Sequence, residues 1–117
     1  VLEGVTYAIR DSRDALAATG TTLVNLLAVG GGTRSDYWLR LIATALDCPV
    51  QLPVAGDFGG AFGAARLALM AATGAGAEIA TLPPIARVIE PDPTLTDAFD
   101  AGAARFRAAQ SAIKDLT

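Results

Sequence analysis

The chain has 117 residues, a length that suits one domain, or part of one, with a modest core. Hydrophobic residues make up 52% of it, which excludes a disordered chain, and nine basic against twelve acidic residues leave a net charge of −3. Lys114 is the only lysine, which argues against a nucleic-acid partner, and the absence of histidine beside a single cysteine, Cys48, excludes the usual zinc sets and any Ser-His or Cys-His nucleophile.

The chain opens at Val1 inside a helical pattern, so a piece of a longer protein is expected. Leu2, Val5, Ile9 and Leu16 share one helical stripe, with Ala8, Ser12 and Ala15 on or beside it. Glu3, Arg10, Arg13 and Asp14 fall largely on the other side, and Gly20 ends the helix. The apolar run Leu23–Val29 that follows is too short for a buried helix and suits a central strand.

That run stops abruptly at Gly30-Gly31-Gly32. Ser35 is the expected N-cap of the next helix, with Asp36 in its first turn and Trp38, Leu39, Ile42 and Leu46 as its buried stripe. Pro49 prevents continuation. Val50–Val54 then reads as a second strand, with Pro53 favouring an edge position. Strand, helix and strand within about thirty residues predict a right-handed βαβ unit with parallel strands.

Gly56–Gly60 is another glycine-rich turn, opening a third helix over roughly Gly60–Thr73. Gly59, Gly63 and Ala64 leave one face of it nearly bare, which favours close packing against a neighbour over a ligand approach. Phe58–Ala80, the longest apolar-looking stretch, is interrupted by Arg66, Gly74, Gly76 and Glu78, so no membrane span is expected. Residues 75–93 carry Pro83, Pro84, Pro91 and Pro93 and read as an extended connection. The last helix is expected over 94–115, capped by Thr94 or Thr96. Leu95, Phe99, Gly102, Phe106, Ala109 and Ile113 form a seam along it.

The functional signal sits in Val29–Trp38. A strand end, a triple-glycine turn and a capped helix start together form a cradle for an anion or a nucleotide, because glycines admit close approach and the helix start offers free N–H groups. The bland alternative is a tight turn with no ligand. Asp36 divides between dipole partner and ligand contact. Trp38 reads as core, Tyr37 stays open, and Arg34 reaches either a phosphate or solvent. A dinucleotide fingerprint lacks its third glycine, since Ser35 stands there, and a P-loop lacks its lysine. Asp57-Phe58-Gly59 spells DFG without any other protein-kinase element.

Several stretches together resemble one family. Glu3–Asp11 (EGVTYAIRD), Leu27–Val50 (LAVGGGTRSDYWLRLIATALDCPV) and Gly59–Ala68 (GGAFGAARLA) are similar, in this order and spacing, to the C-terminal region of FGGY-type carbohydrate kinases. The likeness is strongest over residues 1–75. It implies an α/β fragment of an actin/hexokinase-like ATPase (ribonuclease H-like) domain, with a small parallel βαβ core and packed helices. It further implies that residues 1–117 are part of the nucleotide-binding C-terminal domain of a kinase that transfers the γ-phosphoryl group of ATP to D-xylulose. The unpaired Cys48 beside Pro49 separately fits a reduced, cytoplasmic protein with a buried thiol.

By position, the resemblance makes Gly31, Gly32 and Asp36 nucleotide contacts, with Gly31 flanking. Many members carry asparagine at Asp36. An aspartate repels phosphates, so Asp36 is assigned to the adenosine end. The catalytic aspartate, the sugar contacts and most Mg²⁺ contacts belong to earlier parts of such kinases, so this chain alone is expected to be inactive. Two alternatives remain at this point: a dinucleotide-binding module of an oxidoreductase, and a non-catalytic piece serving association. Loss of the remainder of a kinase would expose the face of the βαβ sheet and the seam along Phe99–Ile113, and self-association through them is expected.

Overall fold

A computed structural model describes residues 1–54 and 59–114. Among these residues, four α-helices, α1 (Leu2–Ala18), α2 (Asp36–Leu46), α3 (Gly59–Thr73) and α4 (Thr96–Lys114), accompany three strands, β1 (Leu26–Leu27), β2 (Val50–Pro53) and β3 (Ile85–Ile89). The sheet order is β1-β2-β3. β1 runs parallel to β2, with Leu26 opposite Val50, so β1, α2 and β2 form the expected βαβ unit.

α2 is the centre of the fold. The Ser35 hydroxyl accepts from the Trp38 N–H at 3.3 Å, which is the expected N-cap. The helix ends at Asp47 in the left-handed conformation (φ 46°), two residues before Pro49. Towards the sheet, Leu39 and Ala43 pack with Val50 and Leu52. Away from it, Leu41 and Ala45 pack with Phe99 of α4, with Tyr7 and Trp38 alongside. The expected stripe named only part of this surface, because α2 is covered on two sides rather than one. The Cys48 thiol is buried at the helix exit, and burial raises its pKa.

Several expectations are corrected. The strand expected over Leu23–Val29 forms a ladder only at Leu26–Leu27, because β2 offers it just two partners. β2 is the middle strand and not an edge. Pro53 is tolerated because it sits at the strand's last residue, where the register with β3 slips between Leu52 and Pro53. Residues 75–93 are more than an extended connection. Ile85–Ile89 pairs antiparallel with β2, so the sheet is mixed.

The last helix starts later than expected. Neither threonine caps it: the Asp92 carboxylate accepts from the Thr94 N–H at 3.0 Å, closing a 3-10 turn over Pro93–Leu95 from which α4 continues. The Asp92 N–H in turn donates to the buried Thr44 hydroxyl at 3.0 Å, tying that turn to α2. Of the seam on α4, Phe99 and Gly102 are buried, whereas Ile113 is 62% exposed. Residue 115 lies outside the described residues.

α1 also turns differently. Leu2, Val5 and Leu16 of its apolar stripe are exposed, and Thr6, fully buried, faces the interior instead. Thr6 donates to the Leu2 carbonyl at 2.9 Å, which satisfies its hydroxyl. The polar side of α1 meets α4 through ion pairs. Arg107 reaches Asp11 at 2.6 Å and Asp14 at 2.5 Å, and Arg10 reaches Asp100 at 2.7 Å. Tyr7 adds an edge-on contact to Phe99 and lies over Gly102, where a Cβ would stand 2.6 Å from Tyr7 Cζ.

Candidate functional site

The site is built where the parallel strand β1 gives way to α2. Gly30 takes φ 92°, a conformation that L side chains rarely adopt, and it turns the chain out of the sheet. Residues Gly31–Arg34 then form a 3-10 turn, with Thr33 and Ser35 N–H groups donating to the Gly30 and Gly32 carbonyls at 3.1 and 3.2 Å. The Thr33 hydroxyl also donates to the Gly30 carbonyl, at 2.7 Å. The N–H groups of Gly31 and Gly32 open this turn and have no acceptor within it.

The two glycines differ. A Cβ at Gly31 would meet open space, so a ligand can approach its backbone. A Cβ at Gly32 would come 2.7 Å from Cζ3 of Trp38. Gly32 therefore has a packing reason to be glycine, and the Trp38 ring forms the floor beneath it. Trp38 belongs to the core beside Leu41 and Phe99, as expected, while Tyr37 is 62% exposed and Arg34 is exposed.

Asp36 begins α2 immediately after the cap. Its carboxylate accepts from both terminal nitrogens of Arg87, at 2.7 and 2.6 Å. This hydrogen-bonded guanidinium lowers the Asp36 pKa and raises that of Arg87. A groove of about 440 Å³ opens beside the pair, with Arg40, Glu90 and Asp92 along it. Gly31, Gly32 and Asp36 thus lie along one turn and helix start. Arg87 joins them from 51 residues further along the chain. Nothing local in the sequence marks it, although a five-residue run rich in β-branched side chains between Pro84 and Pro91 is a strand signal.

The second glycine motif plays a different part. Gly59 packs against Val29, where a Cβ would stand 2.9 Å from the valine Cβ, so α3 meets the strand end by close approach. Gly63 faces open space, so the bare face is packed only at its first glycine. Gly56, Asp57 and Phe58 lie outside the described residues. A largely apolar recess of about 480 Å³ lies between Val29, Val54, Phe62 and Leu82. At its rim Arg66 stacks on Phe62, 4.1 Å from the ring centre, and donates to the carbonyl and hydroxyl of Thr81.

Among the described residues, no group of three or more His, Cys, Asp or Glu could hold a metal ion, and no helix is long and apolar enough to cross a membrane.

Comparison with known proteins follows the same residues. Residues 1–72 match the family described as the FGGY family of carbohydrate kinases, C-terminal domain. A xylulose kinase from Escherichia coli (strain K12) is 43% identical over 72 residues, which are 62% of this chain and 15% of that protein. Among solved structures, a xyloylose kinase from Brucella ovis superposes with a TM-score of 0.87 at 54% identity, over 99% of this chain and 24% of the other. A xylulose kinase from Rhodospirillum rubrum superposes with a TM-score of 0.75 at 29% identity, over 98% of this chain and 24% of the other. The chain therefore spans well under a third of each relative.

Proposed function

The chain belongs to the FGGY family of carbohydrate kinases, within their C-terminal domain, and has the α/β architecture of actin/hexokinase-like ATPases; we propose that it is the ATP-binding part of a cytoplasmic kinase that phosphorylates D-xylulose to D-xylulose 5-phosphate. The observation that carries this reading is the glycine turn running into a capped helix within the family-matched residues. Gly31 and Gly32 offer backbone N–H groups, and Gly31 leaves room for a ligand to reach them. Asp36 faces the adenosine end, because a carboxylate beside phosphates is unfavourable. The family match leaves the dinucleotide-module alternative without support.

The nucleotide supplies the transferable phosphoryl group, which passes to a sugar hydroxyl with ADP as the other product. Mg²⁺, the sugar and the catalytic aspartate are assigned to parts of the enzyme outside this chain. Phosphoryl transfer depends on groups assembled around the phosphates from more than one side. The 117-residue chain by itself therefore turns over no ATP in response to D-xylulose. Sugar-dependent ADP release by the isolated chain, followed in a coupled assay, overturns that statement.

An NMR titration of the chain with ADP and, in parallel, with NAD tests the site. A partial cradle is expected to hold ADP with a dissociation constant of roughly 1 mM, about 4 kcal/mol. Shifts centred on residues 31–36 and reduced by Asp36→Ala support the assignment, and a clear preference for NAD overturns it. The exposed apolar stripe of α1, with Leu2, Val5 and Leu16, supports self-association of the isolated chain. Sedimentation is expected to show a dimer or larger species, and a clean monomer at high concentration refutes this.

A further inference from the structure

A carboxylate at position 36 is awkward beside a polyanionic ligand, and the fold answers it from another element. β3 pairs with β2 so that Arg87 stands opposite Leu52. Ile89 packs on the α2 side of the sheet, and the two-residue period of a strand puts Arg87 on that side too. Arg87 there meets the first turn of α2. Its planar fork engages both oxygens of Asp36, which leaves each oxygen one further lone pair.

We propose that Arg87 is a positioning residue for the nucleotide: by holding and neutralising the Asp36 carboxylate, it leaves the outer lone pairs of Asp36 to accept hydrogen bonds from the neutral N–H or O–H donors of the nucleoside. This rests on the reading that Asp36 contacts the nucleotide. It adds that the segment beyond residues 1–72, and not only the family-matched part, completes the binding site.

The geometry supports this in two ways. Both partners sit on ordered elements, Asp36 on a capped helix and Arg87 on a strand whose ladder with β2 fixes it, so the carboxylate is held in one orientation. The side chains are also open, with Arg87 48% and Asp36 58% exposed, beside a groove of about 440 Å³. An ion pair so exposed adds little to folding, so breaking it should register in binding and not in loss of the fold.

The test is calorimetric titration of the full-length protein with ADP, in the wild type and in Arg87→Gln, Asp36→Ala, Asp36→Asn and the double variant Arg87→Gln/Asp36→Asn. Arg87→Gln should weaken ADP about tenfold, the scale of one charge-assisted hydrogen bond. Asp36→Asn, a neutral residue of the same shape, should restore the Arg87→Gln protein to within about threefold of wild type, since no charge is then left to neutralise. A purely structural role for Arg87 predicts no such rescue.

Two analogues identify the donor. If 2′,3′-dideoxy-ADP binds the wild type more weakly than ADP does, the ribose hydroxyls are the partners; if purine riboside diphosphate does so, the adenine amino group is. In either case Arg87→Gln should erase the discrimination. Weakening by Arg87→Gln that Asp36→Asn does not relieve overturns the proposal, because Arg87 then acts on the ligand itself. Unchanged ADP affinity in Arg87→Gln, with weakening in Asp36→Ala, overturns the proposal and leaves the Asp36 reading intact. If neither variant binds ADP more weakly, both fall together.

Discussion

α2 and α3 are both helices rich in leucine and alanine, yet they end in opposite environments. α2 buries Leu39, Leu41, Ala43, Thr44, Ala45 and Leu46. α3 has no buried residue, and Leu67 and Leu69 stand 68% and 50% exposed. α2 lies between the sheet on one side and α1 with α4 on the other, whereas α3 touches Val29 through Gly59 and the Thr81 segment through Arg66. Apolar composition gives a helix the capacity to be buried; topology decides whether a partner is there. The candidate nucleotide turn rests on the packed region through Gly32 and Trp38.

The sharpest way to break this comparison is a pair of truncations. Leu39→Ala should cost about 3 kcal/mol in urea unfolding, because it opens a cavity against Val50 and Leu52. Leu67→Ala should stay within about 0.5 kcal/mol, as for an exposed side chain. A cost for Leu67→Ala near that of Leu39→Ala would mean that α3 is covered in solution and would end the contrast.

A second pair uses glycines within helices. Gly102→Ala pushes a methyl group into the Tyr7 ring and should destabilise by about 2 kcal/mol. Gly63→Ala meets open space and should instead stabilise by up to about 1 kcal/mol through helix propensity, read in the same unfolding experiment. Ser35→Ala comes next. Loss of the cap on α2 should cost about 1 kcal/mol and speed amide exchange at Trp38, which donates to it.

The smallest expected effect is on pH dependence. The Asp36 pKa in the folded chain lies below its ordinary value because Arg87 donates to it, and Asp92 is lowered likewise by Thr94. A lowered carboxylate pKa contributes stability that is complete above the ordinary carboxylate range, near pH 4, and is lost as the pH falls further. Asp36→Asn should therefore make the urea midpoint fall less steeply below about pH 4, and only slightly so because the pair is exposed. An identical acid slope in the variant would show that Arg87 does not hold the carboxylate in solution.

The elements of the packed region were largely legible in the sequence. Ser35 before Asp36, an apolar period along α2 and a glycine turn after a strand are local signals, and each appears where its residues predict. Long-range partners were not legible in the same way. Whether Pro53 lies at an edge or at a register slip depends on β3, which comes more than thirty residues later. The side of α1 that faces inward depends on Arg107 and Phe99 of α4, which reward its charged side and Tyr7 over Val5 and Leu16. The same limit hid Arg87: a charged residue in a proline-flanked run acquires meaning only when the sheet brings it to Asp36. Family likeness named Gly31, Gly32 and Asp36, but the match to the family model ends at residue 72, before that partner.

The contact between Gly32 and Trp38 has a practical consequence. Trp38 is the only tryptophan in the chain, and its ring touches both the candidate nucleotide turn and the core beside Phe99. Indole emission responds to the polarity and rigidity around the ring. One optical signal, with no label added, is therefore expected to report two events: a saturating change in native protein if a nucleotide settles on the glycines as proposed, and a red shift when the core opens to water. The chain carries its own fluorescent probe where the proposed nucleotide turn meets the core.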